Sequence, residues 1–252
     1  MHKVLTLNNI SPVGLDRYPR DRYEVASEIG HPDAIMLRSF KMHDMELPET
    51  LQAVGRAGAG VNNIPVDKMS GLGVPVFNAP GANANAVKEL VLAGIFMAAR
   101  NIPQAWDYTK ALEAPDAELN KLVEDGKKKY SGYEIPGRTL GVIGLGAIGY
   151  RVANAALALG MKVVGYDPAM TVKNAWQLSS GVEQAVNVDD LIARSDFITV
   201  HVPLIDATRD LINAERLKVA RDGAVIMNFA RDGIVNEEAV VAGLDSGKLR
   251  AC

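Results

Sequence analysis

The stretch Thr139–Asp167, TLGVIGLGAIGYRVANAALALGMKVVGYD, constrains the fold more than any other part of this chain. Leu140–Ile143 is a short apolar run with two β-branched residues, as a strand buried on both faces of a parallel sheet requires. Gly144, Gly146 and Gly149 then fill a G-x-G-x-x-G pattern. The first allows a tight turn, the second lets a pyrophosphate approach the backbone, and the third lets the next helix pack close to the sheet. From Ala147 onward, Ile148, Val152, Ala155, Ala156 and Leu159 recur at helical spacing, so the free amides of the first turn are expected to point at phosphates. Gly160 ends that helix, Met161–Tyr166 is a second apolar strand, and Asp167 follows it, eighteen residues after Gly149. A carboxylate there suits ribose hydroxyls and repels a 2'-phosphate, so the spacing predicts NAD rather than NADP.

With 252 residues, 48% hydrophobic and 23% charged, the chain can bury one large core or two modest ones, and two domains are expected. A net charge of -3 gives no basis for nucleic-acid or membrane attraction. The single cysteine, Cys252, supports neither a disulfide framework nor a thiolate metal cluster, and no metal site is expected. The start MHKVLTLNNI lacks the apolar core of a signal peptide, and the longest apolar run, Leu90–Ala99, is too short to cross a bilayer. A reducing cytoplasm is the simplest location.

Apolar stretches at Lys3–Leu7, Ala34–Leu37, Leu51–Val54 and Val74–Phe77 predict a smaller parallel-sheet unit in the first hundred residues. Three of these strands end in residues suited to a small anion. Arg38 and Ser39 follow the second, Arg56 and the run to Gly60 follow the third, and Asn78 follows the fourth. Ligands of open parallel sheets bind beyond the carboxyl ends of the strands. Consecutive amides of Gly58, Ala59 and Gly60 can form an anion nest, and the two arginines can grip a carboxylate or phosphate. Between the units, Asn83 or Asn85 can cap a helix reaching Asn101, whose Val87, Leu90, Val91, Ile95 and Phe96 cover more than one face. Arg100–Pro103 ends or kinks it, and the charged segment Asp107–Tyr133 reads as exposed helix and loop.

Beyond Asp167, helices at Val188–Ala193, Ala214–Val219 and Asn236–Leu244 alternate with strands at Phe197–Val200 and Ala224–Asn228. The expected architecture is α/β with two doubly wound parallel-sheet domains. Residues 1–98 form a flavodoxin-like substrate domain and 99–252 a Rossmann NAD-binding domain lacking its last elements. His201-Val202-Pro203 and Phe229-Ala230-Arg231 follow two of the later strands. An arginine held there can polarise a substrate carbonyl and pair with its carboxylate.

LRS at 37–39, VGRAGAGVNNIPVD at 54–67, VFNAPGANANAVKELV at 76–91, GLGAIG, YDP, DFITVHVPL and NFARDGIVNEEAV together resemble the D-2-hydroxyacid dehydrogenase family. The resemblance implies NAD-linked interconversion of a 2-hydroxy and a 2-oxo acid. For this member it implies oxidation of 3-phosphoglycerate to 3-phosphohydroxypyruvate, the opening of serine biosynthesis. By matching motif, Arg231 corresponds to the catalytic arginine. Arg38, Ser39, Arg56 and the Gly58, Ala59 and Gly60 amides, beside Asn78, correspond to the substrate-anion site. Ala59, Ala147, Ile148, Asp167, Val202, Pro203, Phe229 and the adjoining Ala230 correspond to cofactor-facing positions, with the three glycines of the fingerprint. A homodimer through the NAD-binding domain is also implied.

Two positions depart from the family pattern. Asn62 stands where aspartate is common, and Asp232, where glycine is usual, puts a negative charge next to Arg231. The family reaction also needs a proton-exchanging histidine and a supporting acid beyond the last motif, so a longer parent chain is expected. His201 sits in a cofactor-facing motif, and His2, His31 and His43 have no supporting motif. Two other readings stay open: a dehydrogenase for an unphosphorylated acid such as lactate or glyoxylate, and a non-catalytic NAD-binding module.

Overall fold

The computed structural model describes residues 1–252, which divide into two compact units, Met1–Asn83 and Ala84–Cys252. The division falls ahead of the long helix from residue 84 rather than in its last turn, where the sequence reading placed it. That helix packs with the second unit.

The first unit runs β1 (His2–Leu7), α1 (Pro12–Leu15), β2 (Tyr23–Ala26), β3 (Ala34–Leu37), β4 (Ala53–Arg56), α2 (Val66–Gly71) and β5 (Val76–Phe77). Its five strands are all parallel in the order β2-β1-β3-β4-β5, the flavodoxin-like arrangement. The sequence reading missed β2, an edge strand of four residues with no continuous apolar run. The helices between these strands are short: one turn in α1, six residues in α2, and none between β3 and β4. Ile35, Leu37, Met42, Val54, Ile64 and Met69 build one core here, each with almost no exposed surface.

The second unit opens with α3 (Ala84–Arg100), α4 (Ile102–Lys110) and α5 (Asp116–Lys127). It continues through β6 (Thr139–Ile143), α6 (Gly149–Ala158), β7 (Lys162–Tyr166), α7 (Val172–Ala175), β8 (Val182–Gln184), α8 (Val188–Arg194), β9 (Phe197–Val200), α9 (Ala214–Lys218), β10 (Ala224–Asn228), α10 (Glu237–Asp245) and β11 (Leu249–Ala251). The sheet order is β11-β10-β9-β6-β7-β8, all parallel. Strands β6 to β11 thus take the Rossmann order, with the first strand central and the chain reversing direction beside it.

Strand periodicity splits this core in two. Leu140, Val142, Val163, Phe197, Val225 and Met227 face α3 and α6. Ile143, Val164, Ile198, Val200 and Ile226 face the side covered by α8, α9 and α10. Sandwiching between helices is why β6, β9 and β10 read as continuous apolar runs. The edge strand β8, largely exposed, left no such signal and was not anticipated.

Helix α3 departs from expectation in two ways. Asn85 lies inside it and does not cap it: its side chain donates to Glu89 Oε1 at 2.6 Å and accepts from Lys88 Nζ at 2.7 Å. Within its own unit only the stripe Ala84, Val91, Ile95 and Ala99 is buried, while Leu90 and Phe96 are exposed. The break after Arg100 is Asn101, left-handed at φ 51°, with Pro103 in the first turn of α4. Asn101 donates to the Tyr130 and Ser131 carbonyls at 3.3 and 3.2 Å, and its Oδ1 accepts from Arg250 at 2.7 Å.

Candidate functional site

Each glycine of the β6–α6 turn answers a different contact. Gly144 sits at φ 89°, and a Cβ there would stand 2.7 Å from the His201 carbonyl oxygen. At Gly149 it would fall onto the carbonyl oxygen of Gly144, so only glycine lets α6 start this close to the strand. Around Gly146 nothing lies within 4 Å. The protein's own packing does not require a glycine there, which fits a group arriving from outside. The amides of Gly146, Ala147 and Ile148 take no part in hydrogen bonds within the protein, so they can meet a diphosphate.

Asp167 closes the far side of this cradle. Its Oδ2 accepts the Leu145 amide at 2.8 Å and its Oδ1 the Ala169 amide at 2.9 Å. The carboxylate is thereby fixed between the glycine turn and the end of β7. Each oxygen keeps a further lone pair for a ribose hydroxyl.

Two more strand ends of this unit lie on the same sheet edge. After β9, Val202 is half-buried and Pro203 exposed. His201 is largely enclosed, and burial lowers its pKa from 6.5 to about 4, so the imidazole is neutral at physiological pH. Its Nε2 lies 3.0 Å from Thr199 Oγ1, while Nδ1 is buried without a partner. After β10, the side chain of Asn228 clamps the turn: Oδ1 accepts the Ala230 amide at 3.1 Å, and Nδ2 donates to the Arg231 carbonyl at 2.8 Å. Arg231 is exposed, with Nη1 donating to the Ala230 carbonyl at 2.7 Å. Its guanidinium makes this bond rather than a salt bridge with the adjoining Asp232. Phe229, Ala230, Arg231, Asp232, Glu237 and Cys252 help line a cavity of about 630 Å³.

In the first unit, Arg38 and Ser39 meet Asn8 and Asn9 around a polar cavity of about 540 Å³. Asn8, left-handed at φ 69°, accepts the Ser39 amide at 3.0 Å and the Phe40 amide through one oxygen. From the opposite side, buried Asn63 donates to the Arg38 and Phe40 carbonyls at 3.2 and 2.8 Å. Arg56 Nε donates to the same Arg38 carbonyl at 3.1 Å, so Arg56 helps to hold the loop that carries Arg38. Asn78 reaches the Ala59 carbonyl at 2.6 Å and steadies the glycine loop. The expected nest is incomplete in one respect: the Gly58 amide donates to the Arg56 carbonyl at 2.9 Å, leaving Ala59 and Gly60 as its open donors.

Sequence reasoning did not single out Asn8, Asn63 or Asn228. The only available signal was position: Asn8 and Asn228 end strands on the carboxyl edge, as Arg38 and Asn78 do.

Residues 92–252 match the family described as D-isomer specific 2-hydroxyacid dehydrogenase, NAD binding domain. The chain belongs to the D-isomer-specific 2-hydroxyacid dehydrogenase family. This member is 40% identical over 231 residues to the D-3-phosphoglycerate dehydrogenase of Methanocaldococcus jannaschii, covering 90% of this chain and 42% of that protein. It is 38% identical over 234 residues to the hydroxypyruvate reductase of Thermotoga maritima, covering 92% and 71% respectively. Among solved structures, the holo form of Rhodotorula graminis D-mandelate dehydrogenase superposes with a TM-score of 0.81 at 27% identity, covering 99% of this chain and 80% of that one. The chain spans about 42% of the length of the D-3-phosphoglycerate dehydrogenase relatives it matches. The second unit of this dehydrogenase-family chain is therefore an NAD-binding domain, and the glycine turn with Asp167 fits that cofactor.

Proposed function

We propose that this chain acts in the NAD-linked oxidation of D-3-phosphoglycerate to 3-phosphohydroxypyruvate. The observation that carries the reading is the polar cavity formed by Asn8, Asn9, Arg38 and Ser39 in the first unit. A guanidinium, a hydroxyl and carboxamides suit a phosphate better than an apolar acid tail. The relatives named D-3-phosphoglycerate dehydrogenase support the same substrate.

In this reading Arg38 and Ser39 hold the phosphate, with Arg56 behind them and Asn78, Gly58, Ala59 and Gly60 shaping the adjoining loop. Arg231 pairs with the substrate carboxylate and stabilises charge on the reacting oxygen. Gly144, Gly146, Ala147, Ile148, Gly149 and Asp167 hold the adenosine and diphosphate half of NAD. Val202, Pro203, Phe229, Ala230 and Ala59 border the nicotinamide half. Bound NAD supplies the hydride acceptor. The same reading makes the protein a homodimer through its NAD-binding unit, in a reducing cytoplasm that keeps Cys252 a thiol.

In a protein that also carries the family's proton-exchanging histidine and its supporting acid, NADH formation should appear with 3-phosphoglycerate and be at least about tenfold weaker, as kcat/KM, with D-glycerate or D-lactate, since a charge-assisted pair would be lost. Arg38→Gln should erase most of that preference. Equal turnover of phosphorylated and unphosphorylated acids would move the assignment toward hydroxypyruvate chemistry, the activity named for the Thermotoga maritima relative. NAD binding with no turnover of any acid, even with that histidine and acid present, would favour a non-catalytic module.

A further inference from the structure

We infer that Arg151 is a diphosphate-binding residue of the NAD site, an inference that rests on the cofactor reading above. Between Thr139 and Met161 the chain carries one charged side chain, Arg151. It lies in the first turn of α6, where the helix dipole is positive and a cation is disfavoured unless an anion is near. Helices α2, α5, α8, α9 and α10 place acids in that turn, and α6 has none.

The direction of the side chain is the second observation. Helical side chains lean toward the amino terminus, and Arg151 leans one full turn, donating from Nη1 to the Ala147 carbonyl in the glycine turn. The Tyr150 ring supports the guanidinium from 4.7 Å. Arg194 and Arg216, also partly buried, each pair with a carboxylate, whereas Arg151 makes no ion pair. Most of its N–H donors are left for another acceptor. A half-buried cation without an ion pair, held on the Ala147 carbonyl of a turn whose Gly146, Ala147 and Ile148 amides are open, matches an incoming dianionic diphosphate.

The test separates phosphate from the rest of the nucleotide. NADH binding is followed by its fluorescence, and ADP and adenosine are measured as competitors, for wild-type protein, Arg151→Gln and Arg151→Lys. The expected result is a rise of about tenfold in Kd for NADH and ADP in Arg151→Gln, with adenosine unchanged. Arg151→Lys should stay within about threefold of wild type, since it keeps the charge and loses only the fork. The gap between wild type and Arg151→Gln should narrow as salt rises from about 0.05 to 0.5 M. If Arg151→Gln fails to fold, Arg151→Met, which keeps the aliphatic stem, is held to the same outcomes. ADP binding unchanged in the variant, or adenosine weakened as much as ADP, would overturn the inference while leaving the NAD reading intact. Wild-type protein that binds neither NADH nor ADP would overturn both.

Discussion

His201 carries the clearest pH consequence among single residues. The unfolded chain binds a proton near pH 6.5, but the folded chain resists it until about pH 4 because the ring is buried. Between those values the unfolded state holds more protons, so stability is full above pH 6.5 and falls as pH drops toward 4. The amount is on the order of 3 kcal/mol. Denaturant unfolding of wild type and His201→Gln at pH 7.5, 5.5 and 4.5 checks this: the wild type should lose more stability across the series, and parallel losses would refute the assignment. The neighbouring glycines were readable from sequence because their constraints act within a few residues: Gly149 meets Gly144 along one short turn. Asn8 was not, because it accepts amides more than thirty residues away, a pairing that no local pattern encodes. Nor does the sequence say that Arg56 points back at the Arg38 carbonyl.

At the scale of elements, polar caps fix several helix starts. Thr171, Asn187, Asn213 and Asn236 each accept an amide of the first turn of the helix they precede. Asn187→Ala should cost about 1 kcal/mol. A melting temperature lower by about 2–4 °C is the corresponding signal, and an unchanged melt would show that the cap is redundant with Asp190. Central strands were legible for the reason that makes them stable: β6, β9 and β10 are apolar on both faces because helices cover both faces. Edge strands β2 and β8 were not, since half their surface meets water and their pairing depends on one neighbour. The helices of the first unit, one turn in α1 and six residues in α2, are too short to show a periodic apolar stripe.

For the whole molecule, the apolar groups left exposed on the second unit matter most. Leu90 and Met97 of α3, Ile102 and Trp106 of α4 and Leu122 of α5 are all exposed, Trp106 by 68%. Large apolar side chains concentrated on three successive helices are unusual on a surface that faces only water. If the homodimer uses these helices, Trp106→Glu should shift the protein from dimer to monomer in light scattering without lowering NADH affinity. A dimer unaffected by that change would place the interface elsewhere. The division into two units was legible from the repeated strand pattern, but its position was not. Helix α3 is apolar enough to suit either side, and only its packing on α6 and β10 decides.

Asn101 and Arg250 are 149 positions apart in the chain yet share a hydrogen bond, and Arg250 also reaches the Ala98 carbonyl at 3.3 Å. On a ribosome adding about 5–20 residues per second, the end of α3 waits roughly 7–30 s for this partner to be made. During that interval the joint between α3 and α4 lacks one of its three tethers. A slow codon or a chaperone acting in that window would bear on this joint before it bears on the glycine turn, whose contacts are complete soon after β9 emerges.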